Sequence, residues 1–186
     1  MKKSLKISSA AVMIAMSFVL SWVSKIIPSP GLQGGSITIA SAVPVMAAGI
    51  VLGTKTGIIS GVIFSLFQLI TGFYPPPVQS ILNFILVVIF DYILAFGVYG
   101  MTGFFCRAFG RCKFAVPLSG AICMIFRYLC HIVSGVLIWG TYSESGALIY
   151  SVFYNGGYMI PEIIITVTAL GVMTPVIIRI EKRYNK

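Results

Sequence analysis

Long apolar runs separated by short polar breaks dominate the hydrophobic pattern of this chain. A helix that spans a bilayer needs about 20 mostly apolar residues. The breaks carry prolines and glycines, as in "IPSPGLQGG", "YPPPVQ" and "TYSESG", and such residues punctuate helices. The pattern predicts an all-α integral membrane protein with six transmembrane helices, at about residues 7–28, 37–53, 56–73, 79–105, 115–140 and 147–178.

The shorter runs and the first run need separate interpretation. The second and third runs are short and meet at "LGTKTG", so we expect them to tilt or to cover only part of the bilayer. The first run follows several lysines, as a signal peptide would, but further apolar runs follow it directly, which favours a membrane helix. We expect residues 1–186 to form a single transmembrane domain.

The charges are few and lie mostly on one side of the predicted membrane. Charged residues make up 9% of the chain, against about 25% in a typical soluble domain. Of the 13 basic residues, 11 lie in segments that share the side of the two termini. Because basic loops stay in the cytoplasm, both termini are predicted to be cytoplasmic. The net charge of +9 then reflects these loops, and no nucleic-acid partner is expected.

Ionisable residues inside the predicted helices are rare and costly at bilayer depth. The run "FRYLCHIVSGVLIWG" carries Arg127 and His131, and other helices carry Asp91 and Glu162. At about 1.5 Å of rise per residue, Arg127 and Glu162 lie roughly 20 and 22 Å from the outer ends of their helices, which predicts a structural ion pair. His131 and Asn155 lie roughly 14 and 12 Å deep, which predicts a shallower polar layer with Asp91.

The shallower layer has the chemistry of a cation site. If Arg127 pairs with Glu162, Asp91 is left without a fixed cationic partner, and aromatic residues lie near it in the predicted bundle. A carboxylate among aromatic faces suits a flat, cationic, nitrogen-rich ligand. A structural alternative stays open, in which Trp139 belongs to an interfacial aromatic belt and polar side chains form interhelical hydrogen bonds.

Four stretches resemble a known family: "GGSITIASAVPVMAAGIVLG", "FDYILAFGVYGMTGFF", "FRYLCHIVSGVLIWG" and "YSVFYNGGYMIPE". They resemble the substrate-binding S components of energy-coupling factor (ECF) transporters, most closely the thiamine-specific branch. The pairing of an H-x-x-S-G-x-x-x-W run with a Y-N-G-x-Y run is the more specific part of this resemblance. It covers residues 34 to 163.

The resemblance implies a six-helix protein in the cell membrane of a prokaryote. It implies an outward-facing pocket built from helices 4 to 6 and the first outer loop. The pocket would bind thiamine as a transported ligand, without catalysis, metal or cofactor. A transmembrane T component and two ABC ATPases would be separate chains, and this chain contains no Walker motif.

The matching motifs place functional roles on particular residues. The resemblance implies ligand binding by Asp91, Tyr92, His131, Trp139, Tyr150 and Asn155. An A-x-x-x-A face on the first helix, here Ala11 and Ala15, would dock on the T component. Ordinary close helix packing is the alternative for those two alanines.

Two features depart from the family pattern. Relatives can carry glutamate where this chain has the shorter Asp91, so the ligand or the helix has to shift. Relatives can also place an aromatic residue of the first outer loop over the ligand, whereas "SPGLQGGS" has none. The aromatic part of a lid is therefore missing from this loop.

Other functions stay open on the sequence alone. The chain could be an S component for another vitamin or for a thiamine precursor such as hydroxymethylpyrimidine. A small membrane channel would need polar residues through the full depth of the bilayer, and an intramembrane enzyme would need a nucleophile paired with a base. Cys130 precedes His131 directly, and adjacent helical residues do not face each other.

Overall fold

The computed structural model describes residues 3–26, 35, 37–110, 114–140 and 146–184. All regular structure in these ranges is helical. Six helices follow in chain order: α1 Lys3–Ser24, α2 Ala42–Val51, α3 Thr54–Gly72, α4 Ile81–Ala108, α5 Ala115–Trp139 and α6 Ala147–Tyr184. The predicted all-α class and the number of helices are confirmed.

Five of the six helices are long and apolar enough to cross a membrane, and α2 is the exception. With 10 residues it extends about 15 Å, half of a typical hydrocarbon core. All of its residues are buried, so it is covered by protein on every side. The sequence predicted a helix over 37–53, but residues 37–41 are not helical and Ala40 has a φ of 55°.

Apolar side chains cover the outside of the long helices. Four large apolar side chains are each more than 75% exposed: Ile70, Ile81, Phe153 and Val172. In water, burial of such side chains would stabilise the protein. Exposure of this kind is expected where lipid, not water, surrounds the bundle.

Glycines allow α3 to pack closely against α4. A Cβ atom added to Gly100 would lie 1.9 Å from the backbone nitrogen of Ile58, so any side chain there would collide with α3. Small residues at such crossings let the two backbones approach closely. In lipid the hydrophobic effect does not drive helices together, so close van der Waals packing stabilises the crossing instead. Helices α5 and α6 also pack against each other extensively, as α3 and α4 do.

Both ends of the chain lie at the same end of the bundle. The hydroxyls of Ser9 in α1 and Tyr184 in α6 are hydrogen-bonded to each other. A common side for the two termini agrees with the prediction from the basic residues, which places that side in the cytoplasm.

Candidate ligand-binding site

A cavity opens at the end of the bundle opposite the two termini. Its wall includes Lys25 just after α1, Gly72 at the end of α3 and Trp139 at the end of α5. The volume is about 1070 Å³ including the open mouth. Small-molecule sites commonly enclose several hundred Å³, so a vitamin-sized ligand fits.

All six residues that the sequence assigned to ligand binding line this cavity. They are Asp91, Tyr92, His131, Trp139, Tyr150 and Asn155. They come from α4, α5 and α6, the helices that the family resemblance named for the pocket.

Two of these helices depart from α-helical geometry at the cavity. Helix α4 is π-helical over Val88–Leu94, which contains Asp91 and Tyr92, and α5 ends in a π-helical turn, Gly135–Trp139. A π-helical turn contains an extra residue and is frequent at functional sites. The regular 3.6-residue period therefore does not give the directions of these side chains.

Asp91 is held by two side chains of α5. Its Oδ1 lies 2.8 Å from Nδ1 of His131, and its Oδ2 accepts a hydrogen bond from Ser134 Oγ at 2.5 Å. Asp91 therefore has fixed hydrogen-bond partners, and the prediction that it lacks a fixed cationic partner stays open, since neither a serine hydroxyl nor a neutral imidazole is a cation. Residues three apart share a helix face, so α5 presents both groups to α4.

Arg127 connects the two polar layers that the sequence analysis separated. Its Nη1 donates to Glu162 Oε1 at 3.0 Å, which is the predicted ion pair, and also to the hydroxyl of Tyr99. Its Nε donates to Nε2 of His131 at 3.2 Å. The guanidinium carbon lies 4.6 Å from the ring centre of Phe96. The predicted deep pair and the shallower layer are thus joined in one network, and Arg127 itself lines the cavity.

The hydrogen bonds assign the charge of this network. Since the Nε–H group of Arg127 donates to Nε2 of His131, that ring nitrogen carries no proton. The imidazole is then neutral and donates its Nδ1 proton to Asp91. Among the described residues that line the cavity, Asp91 is the only carboxylate, and the charge of Arg127 is paired with Glu162 behind the wall.

Asn155 fixes the α6 wall relative to α5. Its Nδ2 donates to the backbone oxygens of Ser151 at 2.9 Å and of His131 at 3.2 Å. Its Oδ1 accepts from the Tyr158 hydroxyl at 2.6 Å. The ring of Tyr158 stands edge-on to His131, with 5.9 Å between the ring centres. These contacts pack Asn155 and Tyr158 of α6 against His131 of α5.

Aromatic pairs surround the mouth of the cavity. The rings of Tyr74 and Trp139 lie 5.4 Å apart, and those of Tyr150 and Tyr154 lie 5.6 Å apart in a stacked arrangement. Tyr74 belongs to the connection between α3 and α4 and was not singled out from the sequence. The first outer loop, residues 27–34 and 36, lies outside the described residues, so the prediction about its lid is not tested.

Sequence reasoning also missed Ser134, which holds Asp91 from behind the wall, and two polar residues of the wall itself, Lys25 and Gln68. Ser134 is the serine of the H-x-x-S-G run, one turn after His131, so its spacing was a usable signal. Lys25 and Gln68 gave no such signal, because their role depends on how α1 meets α3. Lys25 Nζ donates to the carbonyl of Thr71 at 2.9 Å, and Gln68 donates to Ser21 Oγ at 2.7 Å. Partial burial lowers the pKa of Lys25 below its ordinary value.

Ala11 and Ala15 lie away from the cavity on the outer face of α1. Both are exposed, whereas Ile14, Ser17 and Ser21 form the buried face of that helix. Packing within the chain therefore does not account for the two alanines.

The fold and the cavity define a class of protein. Apolar helices of spanning length surround a polar cavity with an aromatic mouth, which is the arrangement of a membrane protein that binds a small ligand.

The comparisons with known proteins identify the family. Residues 7–182 match the family model described as "Thiamine transporter protein", and the chain belongs to that family. The protein is therefore a multi-pass protein of the cell membrane and a transporter, not an enzyme.

Relatives and a solved structure agree with this assignment. The thiamine transporter ThiT of Bacillus subtilis is 30% identical over 182 residues, which cover 91% of this chain and 90% of the relative. The protein of that name from Lacticaseibacillus paracasei is 25% identical over 186 residues, with 94% and 89% covered. The structure of ThiT from Listeria monocytogenes has the same fold, with a TM-score of 0.75, 22% identity and coverage of 97% and 99% of the two chains.

Proposed function

We propose that this chain is the thiamine-binding S component of an ECF-type importer. It captures thiamine from outside and delivers it together with a separate T component and two ATPases. The observation that carries this proposal is the Asp91 carboxylate, held by His131 and Ser134, in the wall of an aromatic-lined cavity. Membership of a thiamine transporter family supports the choice of ligand.

The chemistry of thiamine fits this wall. Thiamine joins a permanently cationic thiazolium ring to an aminopyrimidine ring, and both rings are flat. Each oxygen of Asp91 accepts one hydrogen bond from α5 and keeps a second lone pair. The attraction between this carboxylate and the thiazolium is strong where water is excluded. Stacking on Trp139 and Tyr74 adds cation–π attraction.

The same charge argument ranks the alternative ligands. Hydroxymethylpyrimidine provides the pyrimidine ring without the cation, so the network attracts it less than it attracts thiamine. Riboflavin and folate carry no fixed positive charge either, so the carboxylate of Asp91 attracts them less than it attracts thiamine. We therefore propose thiamine, and not a precursor or another vitamin, as the preferred ligand.

The outer face of α1 fits the role of a docking surface. Ala11 and Ala15 are exposed and lie four residues apart, so they present one small-residue face to the membrane. Such faces let another helix approach closely. We propose that the T component docks there, and that ATP hydrolysis takes place on the partner chains, since this chain has no Walker motif.

Calorimetry on the purified protein tests the proposed function. We expect thiamine to bind one to one without ATP or partner chains, and hydroxymethylpyrimidine to bind more weakly. Riboflavin and folate serve as controls of comparable aromatic character. No heat with thiamine together with tight binding of riboflavin or folate would overturn the assignment.

A further inference from the structure

Residues 37–41, just before α2, form a short non-helical segment with several polar anchors. Thr38 Oγ1 donates to Glu162 Oε1 at 2.8 Å, and Ser41 Oγ donates to Thr38 Oγ1 at 2.8 Å. The backbone nitrogen of Ile39 donates to Ser24 Oγ at 2.7 Å, at the end of α1. The segment is thus bonded to α6 on one side and to α1 on the other.

The bond from Thr38 enters the network that faces the cavity. Glu162 Oε1 accepts from Thr38 and from Arg127 at once, and both Thr38 and Glu162 are buried, with 6% and 0% exposed. Arg127 in turn donates to His131, which holds Asp91. The Thr38 hydroxyl therefore helps to fix the carboxylate on which the orientation of the guanidinium depends.

The chain on either side of Thr38 is held in place as well. Gly35 lines the cavity and lies against the ring of Tyr158, where an added Cβ would come within 2.5 Å of that ring. Ala40 has a φ of 55°, a left-handed conformation that residues other than glycine adopt rarely. Surrounding contacts are needed to maintain such a conformation.

We propose that Thr38 is a positioning residue for ligand retention. Its hydroxyl fixes Glu162 and, through Arg127, the His131 and Asp91 groups that face the ligand. It also anchors the chain that follows the first outer loop to the same network. This inference rests on the proposed thiamine binding.

The proposed role affects release of the ligand more than its capture. Thr38 carries no charge and does not line the cavity, so it does not attract the ligand on approach. Electrostatic steering mainly changes the association rate. Loss of a buried hydrogen-bonded contact mainly changes the dissociation rate. Loss of the hydroxyl should therefore accelerate thiamine dissociation.

Stopped-flow tryptophan fluorescence with thiamine tests this role on Thr38→Val, which removes the hydroxyl and keeps the branched shape. We expect the dissociation rate to rise about tenfold, the scale of one hydrogen bond to a charged group, while the association rate stays nearly unchanged. Thr38→Ser keeps the donor and should restore the parent rate. Ser41→Ala, one hydrogen bond further from Glu162, should give a smaller rise and is the substitute if Thr38→Val does not fold.

Thr174→Val is the matched control. Thr174 is buried in α6, with 5% exposed, and its hydroxyl donates only within its own helix, to the Leu170 carbonyl. Thiamine should dissociate from the Thr174→Val variant at the same rate as from the parent protein. An unchanged rate in Thr38→Val, or an equal rise in Thr174→Val, would overturn the role of Thr38 alone. A parent protein that does not bind thiamine would overturn the proposed function, and this inference with it.

Discussion

At the scale of single residues, the charge of Asp91 matters more for binding than for folding. Asp91→Asn removes the negative charge but keeps an oxygen that can accept from Ser134. We expect thiamine affinity to fall by about 2–5 kcal/mol, as for the loss of one partner from a buried charge pair. The melting temperature should change little. Calorimetry and thermal unfolding measure the two effects.

Glu181→Gln is the control for Asp91→Asn, because it removes a buried carboxylate at the opposite end of the molecule. It should leave thiamine binding unchanged. If Asp91→Asn binds thiamine as tightly as the parent protein, Asp91 has a structural role and the cation argument fails.

Arg127 and Glu162 should behave as one unit in stability. Arg127→Met leaves the fully buried Glu162 carboxylate without its cation, and breaking a buried pair in this way commonly costs about 3–5 kcal/mol. Adding Glu162→Leu should recover part of the lost melting temperature. The affinity for thiamine should stay low in the double variant, because the Arg127 donor to His131 is absent from both the single and the double variant. Strictly additive stability effects would contradict the ion pair.

At the scale of helices, α1 should separate ligand binding from transport. Ala15 is exposed and does not line the cavity, so Ala15→Trp should leave thiamine binding intact. The large ring blocks close approach of another helix, so thiamine uptake by cells that express the complete importer should be lost. Met16→Trp is the control, since Met16 is also exposed but points about 100° away around the helix. Normal uptake with Ala15→Trp would show that this face does not dock.

The crossing of α3 and α4 should depend on a single glycine. Gly100→Ala places a Cβ where the backbone nitrogen of Ile58 lies only 1.9 Å away, so the helices must separate. We expect a clearly lower melting temperature and yield. Gly171→Ala in α6 meets no atom within 4 Å and should be neutral or slightly stabilising. Equal melting temperatures for the two variants would show that α3 and α4 do not cross as described.

At the scale of the whole molecule, the position of the cavity relative to the termini determines the direction of capture. Ser9 and Tyr184 join the two ends of the chain, and the cavity opens at the opposite end. A fluorescent protein fused to the C-terminus should therefore fluoresce in the cytoplasm. Alkaline phosphatase inserted between α5 and α6 should be active outside. An active phosphatase at the C-terminus would reverse the direction of capture.

The sequence by itself determined the all-α class, the number of helices and six residues that line the cavity, and it predicted the orientation in the membrane. Lipid requires long apolar runs and makes every ionisable residue inside them costly, so the few that occur are informative. Asp91 and His131 could be selected for this reason and Asn155 as a polar residue at similar depth, and the family motifs added Tyr92, Trp139 and Tyr150. All of them line the cavity.

Only the tertiary structure decided how these residues act together. Asp91 meets His131 across 40 positions of sequence, Arg127 meets Glu162 across 35, and Thr38 meets Glu162 across 124. Such contacts depend on the crossing of helices and on the π-helical turns that redirect side chains in α4 and α5. The hydropathy pattern records depth in the bilayer but not rotation about the helix axis. For this reason the sequence indicated no hydrogen-bond partner for Asp91, and the structure connects it through His131 to Arg127.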